Sequence, residues 1–232
     1  MYENLPNSYN QTLSGGLAVD RQRVLRNTYW LLALSMVPTV LGAWVGVSTG
    51  ILAAMGAGPS MILFFVGAFG LMLVVEKTKN SSVGVYALLA FTFFMGLMLS
   101  QLLSVTLRSY TNGAQLVMMA FGGTGAIFFA MASLATMIKR DLSAMGKFLF
   151  VGAVILMIAG IASFFFQSSA LVLTILVMSM VIFSAFMLYD VKRILDGGET
   201  NYISATLNIY LDLYNVFQSL LSLLGIFGGD RR

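Results

Sequence analysis

The chain contains no cysteine and no histidine. The first absence excludes disulfides and thiolate chemistry. The second excludes imidazole metal ligands, Ser-His dyads and histidine as a pH switch. Charge is scarce as well: 9% of the 232 residues are charged, against roughly 25% in an ordinary soluble domain. The first twenty-odd residues are polar and lack an apolar core followed by a small-residue cleavage site, so no cleavable signal peptide is expected.

What is abundant is apolar. Hydrophobic residues make up 59% of the chain and fall in long runs, more than a globule of this size can hide from water. The expected fold class is all-α, a multi-pass transmembrane bundle whose first partner is the lipid bilayer. A span needs about 20 apolar residues. Candidates lie at about 28–49, 60–76, 83–107, 114–138, 147–166, 170–192 and 202–227. The expected organisation is a flexible cytoplasmic tail over 1–27, one seven-helix domain over 28–227, and a short C-terminal tail over 228–232. The tail reading rests on polar, glycine-containing composition.

The net charge of +4 does not point to nucleic acid, because the basic residues are spread over membrane-flanking loops. Arg21, Arg23 and Arg26 precede the first span, and Lys77 and Lys79 follow the second. Lys139, Arg140 and Lys147 lie between the fourth and fifth, Lys192 and Arg193 between the sixth and seventh. Alternate loops carry only Arg108. That asymmetry predicts a cytoplasmic N-terminus. The C-terminus falls on the opposite side if the seventh segment crosses, and on the same side if it re-enters.

Local signals fit helices. Gly197-Gly198 is placed to stop the sixth span, and Thr200 or Asn201 to cap the seventh. Pro38 removes one backbone hydrogen bond inside the first span. Gly42, Gly46 and Gly50 form a small-residue face that suits either packing within one bundle or dimerisation. The sixteen methionines and "FGGTGA" read as packing.

The seventh segment, "ATLNIYLDLYNVFQSLLSLLG", is the least apolar. Asn201, Asn208, Asp212, Asn215, Ser219 and Ser222 are spaced seven, four, three, four and three residues apart, which puts them along one helical face. In a bilayer such a stripe must face protein or a water-filled cavity. The seventh helix is therefore expected at the centre of the bundle.

Only Glu76, Asp190 and Asp212 are acids within or at the ends of the spans. Glu76, beside Lys77, reads as a solvated interfacial acid. Asp190 and Asp212 lie on consecutive antiparallel segments, at depths differing by about one turn to one and a half. Two carboxyl groups close together in a low dielectric do not both ionise; they share a proton and titrate as a coupled pair. Without that proton the pair attracts a cation, and Ca²⁺ accepts an all-oxygen shell. Asp190 and Asp212, supported by Asn208, Asn215 and Ser219, form the candidate proton and cation site, with transient Ca²⁺ as its metal and no resident cofactor. The alternative is that Asp190 pairs with Lys192 or Arg193 while Asp212 stays protonated as packing glue.

"LYDVKRILDGGETNYISATLNIYLDLYNVFQSLLSLLG" resembles the C-terminal signature of the BAX inhibitor family of seven-helix membrane proteins. "RVLRNTYWLLALSM" and "GGETNYI" look most like its bacterial YccA branch. The resemblance runs from about residue 21 onward. It implies an inner-membrane protein with a central seventh helix wrapped by six others. It also implies that Asp190 and Asp212 match the paired aspartates that form a proton-dependent latch over a pore in calcium-leak members. The branch further implies a partner, the membrane-anchored AAA protease FtsH, which such proteins restrain as slowly handled substrates. A polar tail would suit the grip of an ATP-driven pore. Two alternatives stand beside a protease modulator: a proton-gated Ca²⁺ leak with no protease role, and an intramembrane aspartyl protease. "LYD" supplies half of the aspartyl-protease motif, but "IYLD" replaces the Gly-x-Gly-Asp half with bulky residues, and no enzymatic activity is expected.

Overall fold

The computed structural model describes residues 7–166 and 168–230, with side chains from residue 20 onward. Eight helices follow in order: α1 (Asn7–Thr49), α2 (Ile51–Met55), α3 (Ala57–Thr78), α4 (Ser82–Ser109), α5 (Gly113–Met137), α6 (Ser143–Phe166), α7 (Ser169–Leu195) and α8 (Tyr202–Gly228). Among the described residues there is no strand. Seven helices are long and apolar enough to cross a membrane, the first over Asp20–Thr49. The chain is an all-α multi-pass membrane bundle.

Each expected span has its helix, with ends shifted by a few residues. Two differences are larger. The short α2, set between Gly50 and Gly56, both at positive φ, was not expected. In addition, α1 begins at Asn7, so residues 7–27 are helical where composition predicts an irregular tail. Once a span has nucleated helix, extending it adds one hydrogen bond per residue without a new nucleation cost. Residues 1–6 of the expected tail lie outside the described residues.

The ends of α7 and α8 follow from local chemistry. Gly197 takes φ 82°, a left-handed conformation that glycine adopts without a Cβ clash. The Gly198 N–H then donates to Arg193 O at 2.8 Å and the Gly197 N–H to Ile194 O at 3.0 Å, the paired bonds of a Schellman stop. Asn201 caps α8, its side chain accepting from the Ile203 and Ser204 N–H groups at 2.9 and 3.2 Å.

α8 is central. No residue from Tyr202 to Gly225 is exposed, and the helix touches α1, α3, α4, α5 and α7. Its 27 residues measure about 40 Å, enough to cross a bilayer. Its start meets the α3–α4 loop through Asn201 and Lys79, and its end meets the α4–α5 turn through Asn112 and Gly228. These turns lie at opposite ends of α4, so α8 crosses rather than re-enters. The expected ring of six is incomplete, however. Among the described residues α6 touches only α7 and buries no residue, because α7 stands between it and the centre.

The glycine face is used inside the bundle. A Cβ on Gly42 would meet the Phe93 carbonyl, one on Gly46 the Ser100 side chain, and one on Gly96 the Thr39 backbone. α1 and α4 thus approach backbone to backbone, the geometry that small residues permit in membranes.

Candidate functional site

Asp212 sits near the middle of α8 and Asp190 near the end of α7, joined by the glycine stop. Both are buried, 4% and 8% exposed. Their carboxyls lie within hydrogen-bonding reach of one another. Asp212 Oδ2 is buried without a donor, and two ionised carboxylates cannot supply one to each other. A single proton between them would satisfy the contact. The charged groups that bear on Asp190 from the turn are Arg193 and Glu199, which pair with each other at 3.4 Å. Lys192 pairs with Asp196 at 2.5 Å. The basic residues that follow Asp190 in sequence thus have acidic partners of their own.

Among the described residues the supporting ones bond elsewhere or not at all. Asn208 and Asn215 are half-buried and Ser219 is buried. Asn215 turns its amide back onto Leu211 O of its own helix at 2.8 Å. Among the described residues no hydrogen bond joins Asn208, Asn215 or Ser219 to either aspartate.

The donor set bears on calcium directly. A Ca²⁺ ion takes six to eight oxygens, and among the described residues no third acid joins the two aspartates. Two carboxyls supply at most four of these oxygens, so a resident ion would need further ones from backbone carbonyls or water.

Sequence reasoning missed the opposite face of α8. Tyr210 and Tyr214 stack with centroids 6.2 Å apart, one turn from each other. The Tyr210 hydroxyl meets Thr39 Oγ1 on α1 at 2.9 Å and Thr92 O on α4 at 3.4 Å. Tyr214 donates to Met95 O on α4 at 3.2 Å. The available signal was a tyrosine repeat four residues apart in a helix already placed at the centre, where each hydroxyl needs a partner. Glu76, expected as a solvated interfacial acid, keeps 39% of its side chain exposed, but its partners were not foreseen. It accepts the Ser204 hydroxyl at 2.9 Å and pairs with Lys79 at 2.8 Å.

At the same end, a cleft of about 240 Å³ lies between Asp141–Ser143 and Tyr189, Lys192 and Arg193 of α7 with Asp196 just beyond it. Its acids and bases balance.

The family described as "Inhibitor of apoptosis-promoting Bax1" matches residues 21–229. Among curated proteins, the chain is 38% identical to the "Modulator of FtsH protease YccA" of Escherichia coli (strain K12), covering 91% of this chain and 94% of that protein. The "Inner membrane protein YccA" of Escherichia coli O6:H1 matches to the same extent. An "Uncharacterized membrane protein" of Vibrio cholerae is 35% identical over 96% of this chain and 97% of its own length. The chain belongs to the BAX inhibitor family.

Proposed function

We propose that this BAX inhibitor family protein works in the bacterial inner membrane as a modulator of a membrane-anchored AAA protease of the FtsH kind, not as an enzyme. The observation that carries this reading is identity at 38% across nearly the whole length of a relative named for that role. The N-terminal segment ahead of Asp20 and the basic loops face the cytoplasm in this reading, where such a protease can grip the segment. Three loop regions support a common side: Asn201 bonds Lys79 and Asn80, and Asp141 shares a cleft with Lys192. Deleting residues 1–20 should lengthen the protein's lifetime in cells and release the protease onto other membrane substrates. Unchanged turnover together with unchanged handling of those substrates would reject the role.

A second reading is favoured by the buried Asp190–Asp212 contact. The pair is a proton-sensitive latch whose opening lets a cation, Ca²⁺ by the chemistry of oxygen donors, pass beside α8. Calcium flux into proteoliposomes, followed from mildly acidic to mildly alkaline pH, tests it. Asp212→Asn or Asp190→Asn should abolish the pH dependence. Flux with the wild-type profile in both variants rules the latch out.

A further inference from the structure

α8 is tied at both ends, and both ties are made by the segments that flank α4. At its start, Asn201 uses both ends of its amide. Oδ1 caps the helix, while Nδ2 donates to Lys79 O at 3.0 Å and to Asn80 Oδ1 at 2.9 Å. Lys79 and Asn80 lie in the turn that leads through Ser81 into α4.

The far end repeats the device with different residues. Asn112 Nδ2 donates to Gly228 O at 2.8 Å, and Asn112 Oδ1 accepts from the Asp230 N–H at 3.0 Å. The Thr111 N–H and hydroxyl both donate to Asp230 O, at 2.8 and 3.1 Å. The Tyr110 ring lies against Gly225 and Gly229, in space that side chains there would fill. Residues 110–112 immediately follow α4.

The two helices run in the same direction and match in length, 28 residues in α4 and 27 in α8. Between the ties α8 is held by side-chain packing and by single hydroxyl bonds, from Tyr210 to Thr92 O and Tyr214 to Met95 O on α4 and from Thr206 to Thr28 O on α1, whereas each tie joins several groups at once. We infer that α4 is the ruler against which α8 is measured, and that Asn201 and Asn112 are positioning residues that set the depth of Asp212 against Asp190. The inference rests on the aspartate contact being the responsive element. Aspartate is short: a slip of one residue shifts it about 1.5 Å along the axis and turns it about 100°, enough to part the carboxyls.

The test uses the full chain in lipid nanodiscs. Asn201→Ser keeps an oxygen to cap α8 but loses both donors to the α3–α4 loop. Asn112→Asp keeps the acceptor for Asp230 and loses the donor to Gly228. Ser60→Ala, which loses the buried bond to Leu52 O made outside both α4 and α8, controls for general destabilisation. The first readout is the infrared carbonyl stretch of the protonated carboxyl, identified by its loss in Asp212→Asn. The second is the distance between spin labels at Val105→Cys on α4 and Phe227→Cys on α8, placed without interference in a chain free of cysteine.

The Asn201→Ser/Asn112→Asp double variant should move or split the carboxyl band and shift the label distance by about 1.5 Å or more. Ser60→Ala should lower only the melting temperature. A double variant that melts earlier with its band and label distance unchanged overturns the ruler. Should the wild type show no band sensitive to Asp212→Asn, the latch reading fails. The label distance then decides the ruler alone, an unchanged value refuting it.

Discussion

Ser204, in the first turn of α8, donates its hydroxyl proton to Glu76 Oε1 at the end of α3, 2.9 Å away. Lys79 holds the other oxygen at 2.8 Å. An acid at a membrane interface is thereby made a link between the central helix and its neighbour.

Replacing Glu76 with alanine should lower stability by about 1 kcal/mol, the scale of one net hydrogen bond, read as an earlier thermal transition in detergent. Glu76→Gln separates the charge from the hydrogen bond. The Lys79 ammonium is held above its ordinary value by its hydrogen bond to Glu76. Stability from a raised base is full below its unfolded value and is lost as pH rises through the folded one. Glu76→Gln should therefore flatten the alkaline limb of the stability profile above about pH 10.5.

Asp141 gives the opposite sign. Its carboxylate accepts the Ser143 N–H at 2.8 Å and the Ser143 hydroxyl at 2.5 Å, which hold it below its ordinary 3.8. A depressed acid contributes stability above its unfolded value and loses it as pH falls through the folded one. Amide exchange at Ser143 should accelerate, relative to its intrinsic rate, below about pH 3.8. In Asp141→Asn that acid-triggered increase should disappear.

Gly96→Leu should prevent α1 from seating on α4, because its side chain would enter the Thr39 backbone. Loss of folded protein on size exclusion is the expected result. Gly70→Ala, at a helical site with nothing within 4 Å, should fold normally. Equal behaviour of the two variants would show that the close approach of α1 and α4 is not needed.

Tyr210→Phe should cost about 0.6 kcal/mol, the mean for a hydrogen bond between membrane helices. Thr39 keeps its bond to Ser35 O at 2.8 Å, so no orphaned hydroxyl adds to the cost. Tyr210→Ala removes a fully buried ring packed on Phe91 and should cost about 3–5 kcal/mol. Thermal or denaturant unfolding in detergent distinguishes the two.

Single cysteines at Glu199 and Asp230 should label from opposite faces of the membrane, since α8 crosses between them. The absence of native cysteine leaves no background. Labelling of both from the same face would return α8 to a re-entrant path.

The seven spans were legible because membrane helices must be long, apolar and internally bonded, and each of these is a local property. The place of α8 was legible for the same reason: Asn208, Asp212 and Asn215 in one segment mark a helix that lipid does not surround. The proximity of Asp190 and Asp212 followed from one glycine turn between two antiparallel helices. What escaped were contacts between segments far apart in sequence. The Ser204 hydroxyl finds Glu76 across 128 residues, and nothing near either residue announces the other. The outlying place of α6 escaped too, because "GAVILMIAGIASFFF" reads the same whether a helix closes a ring or flanks it. The helical backbone before residue 28 was missed because composition scores polarity, whereas an established helix extends through polar residues at little cost.

Because α8 follows in the chain every helix it touches, the interior of the bundle is synthesised after the helices that surround it. Until α8 emerges from the ribosome, α1, α3, α4, α5 and α7 surround a place that lipid, water or a chaperone must occupy. A premature stop codon after residue 201 would not trim an edge from this protein but empty its middle. Quality control in the membrane would then meet an apparently complete set of outer helices with nothing inside to hold them.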